Sequence, residues 1–279
     1  MPDLPLPTPP QSRPLVCTLT IATSDSGAGA GVQADLKTFA ALQVYGLSVL
    51  SGVTAQNTLA VTASACLPPD LVTAQLQAVF EDMKIAAIKI GLLGDAANTG
   101  RVASFLADIC PATPLVLDPV MVSTSGHTFL APAAISALKE IMPLATVITP
   151  NLPEAEALSG LAIRRPEDRR AAAERLREAG ARRVLIKGGH GQGPEADDYL
   201  LGPEGETWFK GPRVETLNTH GTGCTLSAAI CANLALGLEL PQAIGQAKSY
   251  VTQGLRQSLR LGRGPGPLNH FHPYYHLES

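Results

Sequence analysis

Short apolar runs alternate along the chain with longer stretches in which apolar positions recur every three to four residues. The runs are VCTLTIA at 16–22, GLSVLSGV at 46–53, IAAIKIG at 85–91, LVLDP at 115–119, TVITPN at 146–151 and RVLIKGG at 183–189. Each is short and either ends in Gly, Pro, Asp or Asn or runs straight into a polar residue such as Thr23 or Thr54. Runs of this kind read as strands covered on both faces. Between them, 32–42, 71–83, 98–109, 132–141, 153–160 and 166–180 carry the helical period. Asp70 is expected to cap the second helix, Pro153 to open the fifth, and Gly160 and Gly180 to close theirs. Residues 198–213 alternate around a Pro203-Glu204-Gly205 turn and predict a hairpin. Two further helices are expected from about Gly223 and from Pro241, and the Gly/Pro/His-rich tail from Gly262 reads as irregular.

Regular alternation of strand and helix predicts an α/β fold with a mostly parallel sheet between helix layers. No internal repeat or long linker divides it, so residues 15–279 are expected to form one domain. Residues 1–14, rich in proline, read as a disordered arm with none of the basic-then-apolar order of a signal peptide. No stretch reaches the roughly 18 consecutive apolar residues of a membrane span.

With 45% hydrophobic residues in a chain of 279, there is ample material for a core. The net charge of -3 and the 4% aromatic content disfavour nucleic acid as a partner. The five cysteines are odd in number and show no CxxC spacing, which disfavours disulfides and structural zinc and suits a reducing cytoplasm. Cys17, Cys66, Cys110 and Cys231 are expected to be small buried hydrophobes.

Ligands of such sheets lie beyond the carboxyl ends of the strands. TSDSGAGAG, KIGLLGD, LDPVM, TPNLPE and KGGH all follow expected strands, and NTHGTGC follows a less certain one. In HGTGC, Gly221 and Gly223 let successive amides turn one way at a helix entrance, which makes an anion site or simply a helix entry. Cys224 lies in that field, where a thiol pKa is expected to fall. It could act as a base, or as a bystander in a tight turn. Without an arginine six positions on, a Cys-x5-Arg phosphatase loop is disfavoured. Asp118 and Glu154 could hold Mg2+ against phosphates, or serve a local turn and a helix dipole. Asn151 could orient the metal water or cap the helix. Lys187 could reach a polyphosphate. Gln56 could give and receive hydrogen bonds at a heteroaromatic edge. The loop at 23–31 is neither a GxGxxG fingerprint nor a Walker A loop.

Taken together and in order, SDSGAGAGVQADLKTF, VTAQNT, KIGLLGD, LDPVM, ITPNLPEAEAL, IKGGH and NTHGTGCTLSAA resemble the hydroxymethylpyrimidine/phosphomethylpyrimidine kinases of thiamine biosynthesis, in the ribokinase-like superfamily. The resemblance implies a three-layer α/β/α sandwich and a cytoplasmic homodimer that uses ATP and Mg2+. Two activities follow: phosphorylation of 4-amino-5-hydroxymethyl-2-methylpyrimidine, then of its monophosphate. It implies that Gln56, Asp35, Gly27, Leu92 and Val120 face the substrate. Lys187, Asn151, Thr222, Gly223 and Lys248 would meet ATP, with Asp118 and Glu154 in the metal region. Gly221, Thr222, Gly223, Cys224 and Lys187 would do the chemistry. Most of the superfamily carries Asp as the base where this chain has Cys224. A thiol there would avoid repelling an acceptor that already bears a phosphate. The chain departs from the family pattern at Thr23, at Leu92 and in LGRGPGP, where Gly264 keeps its place but a histidine is lost. Pyridoxal or pyridoxine kinase is the nearest alternative, and a silent vitamin-precursor binding protein a more distant one.

Overall fold

The computed structural model describes residues 15–109, 112–121, 132–191 and 193–274. The expected arm at 1–14 and Cys110 lie outside them. Nine strands among the described residues form one sheet: β1 (Cys17–Asp25), β2 (Tyr45–Gln56), β3 (Val61–Cys66), β4 (Ile85–Ile90), β5 (Leu115–Leu117), β6 (Val147–Ile148), β7 (Val184–Ile186), β8 (Asp198–Gly202) and β9 (Gly205–Phe209). Their order is β3-β2-β1-β4-β5-β6-β7-β8-β9. The six strands from β2 to β7 in that order are parallel, and β3, β8 and β9 add antiparallel edges.

The helices are α1 (Gly31–Ala41), α2 (Pro69–Asp82), α3 (Ala96–Ile109), α4 (Pro132–Ile141), α5 (Leu152–Ser159), α6 (Asp168–Glu178), α7 (Thr222–Ala235) and α8 (Leu240–Arg256). Strand side chains alternate between two cores, as a pleated sheet requires. Leu19, Ile21, Ile88, Ile90, Leu115, Leu117, Ile148, Val184 and Ile186 pack toward α2 to α6. Ala87, Val116, Val147 and Leu185 pack toward α1, α7 and α8. The result is the three-layer sandwich with a mostly parallel sheet.

Three local expectations need correction. β3 was not foreseen; nearly all of it is exposed, so its weak sequence signal lacks a buried face. For the same reason Cys66 is exposed rather than buried, and Cys17 is only half-buried. Asp70 does not cap α2: Pro68 holds the cap and Asp70 lies in the first turn, where its charge meets the helix dipole. The 198–213 segment forms the hairpin around the expected turn, ending at Phe209. Gly160 closes α5 in the left-handed region at φ 73°.

Candidate active site

The carboxyl ends of the six parallel strands open on one cavity of about 450 Å³, closed on its other side by the start of α7 and by α8. Its lining joins Gln56, Leu92, Val120, Asp118, Asn151, Glu154, Lys187, Lys248 and the Gly221–Cys224 turn. Two expected substrate contacts are absent from it. Asp35 is fully buried beneath the floor, where its Oδ2 accepts from Thr20 Oγ1 at 2.6 Å and Lys89 Nζ at 2.8 Å. Its position on α1 turns it onto the sheet, toward a cation the sheet supplies. Gly27 is exposed on the β1–α1 loop, and its amide donates to Asp25 Oδ1 at 2.8 Å. It supports the loop and does not line the cavity.

The glycine turn at the entrance of α7 forms as expected. Gly221 is the N-cap of α7 at φ 76°, a conformation that suits glycine. A Cβ there would lie 1.7 Å from the Gly29 carbonyl oxygen, so both the angle and the space exclude a side chain. No side chain caps the first turn of α7; the Thr222 amide donates to the Thr219 carbonyl at 3.2 Å, and the turn lines the cavity.

Cys224 departs from expectation. It is half-buried, yet its thiol is pushed up to about 11, not down. Burial is the main cause; Asp35 and Asp118 add to it, while Lys89 and the Gly31 amide oppose it. Burial, helped by the two carboxylates, outweighs Lys89 and the Gly31 amide, so the thiol is neutral near pH 7.

The carboxylates are tightly engaged. Asp118, fully buried, accepts from Lys187 Nζ at 2.7 Å, from Thr149 Oγ1 at 3.2 Å and from Ser227 Oγ at 3.2 Å. Burial alone would raise its pKa, but Lys187, Lys89 and Ser227 hold it below the usual carboxylate range. Glu154 and Asn151 form a capping box at the start of α5: the Glu154 amide donates to Asn151 Oδ1 at 2.9 Å, and the Asn151 amide donates to Glu154 Oε2 at 2.8 Å. Burial, reinforced by Asp118, pushes Glu154 up to about 7 against Lys187 and two backbone amides. Lys187 stays firmly protonated: burial lowers it, but Asp118 and Glu154 raise it further.

At the far end, Lys248 is committed to Asp198 Oδ2 at 2.7 Å and to the Ala196 carbonyl. Asp198 also accepts from the Gly188 amide at 2.8 Å, which ties the loop after β7 to the hairpin. Arg213 donates to the carbonyls of Gly189 and Gly193, both at 2.7 Å, and so holds that loop at the cavity lining. At the opposite end Asp25 accepts from the Gly29 and Ala30 amides and meets His220 Nε2 at 2.8 Å.

Sequence reasoning missed Lys89, Asp198 and Arg213, all on the cavity lining. Lys89 carried a signal, since a lysine inside an apolar strand is seldom buried without a partner. Asp198 and Arg213 carried none, because their partners are backbone groups and a residue 50 positions away.

A family model described as phosphomethylpyrimidine kinase matches residues 25–269. A hydroxymethylpyrimidine/phosphomethylpyrimidine kinase of Rhizobium meliloti is 47% identical over 261 residues, 92% of this chain and 97% of its own length. Among solved structures, a phosphomethylpyrimidine kinase of Clostridium difficile superposes with a TM-score of 0.75 at 42% identity, over 85% of this chain and 98% of that one. An ADP complex of Bacillus subtilis pyridoxal kinase superposes at 0.83 with 34% identity, over 92% and 98%. The strand-end cavity thus lies in a chain that belongs to the phosphomethylpyrimidine kinase family.

Proposed function

We propose that this protein transfers the γ-phosphoryl group of ATP to 4-amino-5-hydroxymethyl-2-methylpyrimidine and then phosphorylates the monophosphate to the diphosphate, for thiamine biosynthesis. One observation carries the reading: a single cavity joins an uncapped helix entrance and a buried lysine–carboxylate group to an amide-bearing apolar end. Phosphoryl transfer asks mainly for positioning and charge stabilisation. The amides of Gly221, Gly223 and Cys224 would donate to the moving phosphoryl oxygens, with the Thr222 side chain beside them. Lys187, whose Nζ lies next to Gly223, would hold the phosphates beside the turn, with Thr222 and Gly223. Gln56 would read the ring edge between Leu92 and Val120. Asn151 and Lys248 would line the nucleotide side, Lys248 through its stem while Asp198 holds its charge.

Asp118 and Glu154 are the residues that would hold Mg2+. Among the described residues no group of three metal-binding side chains occurs. A pair of hard carboxylates still fits this ion, which keeps several waters and takes one or two carboxylates beside substrate phosphates. Bound there, Mg2+ would neutralise charge on the phosphates. Cys224, neutral at working pH, would lie beside the acceptor without repelling it. The loose transition state asks little of a base.

The test is a steady-state assay with ATP and the hydroxymethylpyrimidine that resolves mono- from diphosphate product. Both products should form in sequence, and chelation of divalent metal should abolish them. Turnover of pyridoxal with none of the pyrimidine would move the assignment to pyridoxal kinase, the reading favoured by the high superposition scores of that group. Binding without turnover of either would leave a silent binding protein. We further propose a cytoplasmic homodimer in which residues 15–279 act as one domain. Sedimentation at the monomer mass, or recovery outside the cytoplasmic fraction, would count against it.

A further inference from the structure

Gln56 ends β2 at the acceptor end of the cavity, and its use depends on which end of its amide faces which neighbour. Asp25, 3% exposed, is a carboxylate surrounded by donors. Its Oδ1 accepts from Gly27, and its Oδ2 accepts from Gly29 at 3.1 Å and Ala30 at 2.9 Å. Burial pushes Asp25 up, but His220 and the loop amides outweigh it and keep it ionised. His220 Nε2 lies 2.8 Å from Asp25 Oδ2. Two lone-pair atoms cannot share that distance favourably, so Nε2 carries the hydrogen and donates it.

That proton decides the next contact. Gln56 is placed with its Nε2 3.3 Å from the same His220 nitrogen and its Oε1 3.3 Å from Thr54 Oγ1. That placement sets an amide NH2 against an N–H, donor against donor. Exchanging the two amide ends, which have nearly the same shape, removes the conflict, and the oxygen then accepts a second branch of the Nε2 hydrogen. The NH2 group then lies at the other amide position, 3.3 Å from Thr54 Oγ1. Thr54 can accept it, because its own hydroxyl donates to the Ser24 carbonyl at 3.0 Å. Every hydrogen in this line now runs one way: Gln56 to Thr54 to Ser24, and His220 to Asp25 and Gln56.

We propose that Asp25, His220 and Thr54 are positioning residues that pin the Gln56 amide in one sense, and so select a 4-aminopyrimidine edge over its 4-oxo counterpart. The pinned amide keeps one lone pair and one N–H for the ring. A 4-amino edge offers an amino hydrogen beside an unprotonated ring nitrogen and matches that pair. A 4-oxo edge offers a carbonyl beside a ring N–H and would require the amide to turn over. Turning it would set donor against donor at His220. This inference rests on the pyrimidine reading of the cavity.

The experiment compares kcat/KM for the 4-amino substrate and its 4-oxo analogue in the wild type, His220→Phe, His220→Gln and Thr54→Val. Loss of a buried hydrogen-bond partner commonly shifts discrimination by roughly 10- to 100-fold. The ratio favouring the 4-amino ring should fall about 10-fold or more in His220→Phe and Thr54→Val, and recover partly in His220→Gln. The KM for ATP should stay within about 2-fold, since the pinned amide lies at the acceptor end. Equal losses on both rings in His220→Phe and Thr54→Val would overturn the proposal and leave these residues a purely structural role. Imidazole 1H–15N correlation spectra of the wild type without ligand supply a readout independent of turnover. A protonated His220 Nε2 is expected, and an unprotonated one would overturn the pinning even if both pyrimidines are phosphorylated. If neither pyrimidine is turned over but Nε2 is protonated, the pyrimidine reading fails while the pinning stands, and only the selectivity clause is lost.

Discussion

Cys224 stands where a helix entrance and two buried carboxylates act on the same sulfur. The entrance favours a thiolate, but Asp35 and Asp118 together with burial hold the thiol at about 11. At neutral pH the sulfur is therefore a small uncharged wall beside the phosphate path. An aspartate in its place would bring a negative charge close to an acceptor monophosphate. At about 4 Å and an effective dielectric near 20 such a pair repels by about 4 kcal/mol before relaxation and screening. Cys224→Asp should thus lower kcat/KM for the second phosphorylation about tenfold or more beyond any effect on the first. The ratio of mono- to diphosphate over time reads this, and equal losses in both steps would exclude repulsion as the reason for the thiol. The identity of this residue and its place at a helix start were legible in the sequence. The direction of its pKa was not, because it is set first by burial within the fold and then by Asp35 and Asp118, which come from 189 and 106 positions away in the chain.

The loop from β1 into α1 shows how an element can depend on one side chain. Asp25 gathers three amides of that loop and the His220 ring, while its own amide donates to Gln33 Oε1 at 2.9 Å. Gly31 begins α1 at φ 58°, where a Cβ would lie 2.4 Å from the Thr23 carbonyl, so the path of the loop is set by that glycine and by Asp25 together. The folded Asp25 pKa lies below its ordinary value. Its stabilising contribution is therefore fully present above the unfolded pKa, near 4, and is lost as pH falls through the lower folded value. Asp25→Asn should lower stability at pH 7 by roughly 1–3 kcal/mol, the cost of buried donors left poorly matched. It should also make the decline of stability below pH 4 shallower than in the wild type. Denaturant titrations at pH 7 and at a series of acid pH values check both, and an unchanged acid slope would remove Asp25 from the account. The glycines and Asp25 of this loop stood out in the sequence as a strand-end feature. Their task was not readable, since a loop that carries its own carboxylate looks the same on paper as one that cradles a ligand. The α5 start was read more fully: a capping use was weighed for Asn151 and a helix-dipole use for Glu154, and the structure joins the two residues in one reciprocal capping box.

At the scale of the whole molecule, the alternation of apolar runs and helical periods fixes layers and parallel strands, and the strand ends fix where the cavity must open. Strand order and the exposed β3 edge lay beyond that reasoning, because pairing partners leave no mark on a single sequence and β3 buries no face that would give it a period. The same limit hid the ion pair between the sheet and α1. Lys89 of β4 and Asp35 of α1 are both fully buried on the α1 side of the sheet; Lys89 reaches the cavity lining and Asp35 lies beneath it. Burial pulls the Lys89 ammonium down, but Asp35 and Asp118 outweigh it and keep the lysine charged. Asp35 Oδ1 has no hydrogen-bond partner, so the pair is a costly arrangement in which each charge depends on the other. Lys89→Met should strand the Asp35 carboxylate and cost about 3–5 kcal/mol in urea or guanidinium unfolding, whereas adding Asp35→Leu should recover most of that loss. A double variant no more stable than Lys89→Met would mean that packing, not charge, sets the cost. If the double variant folds well yet turns over poorly, the cation at the cavity lining serves the site, and its retention in the centre of an otherwise apolar sheet has a reason beyond stability.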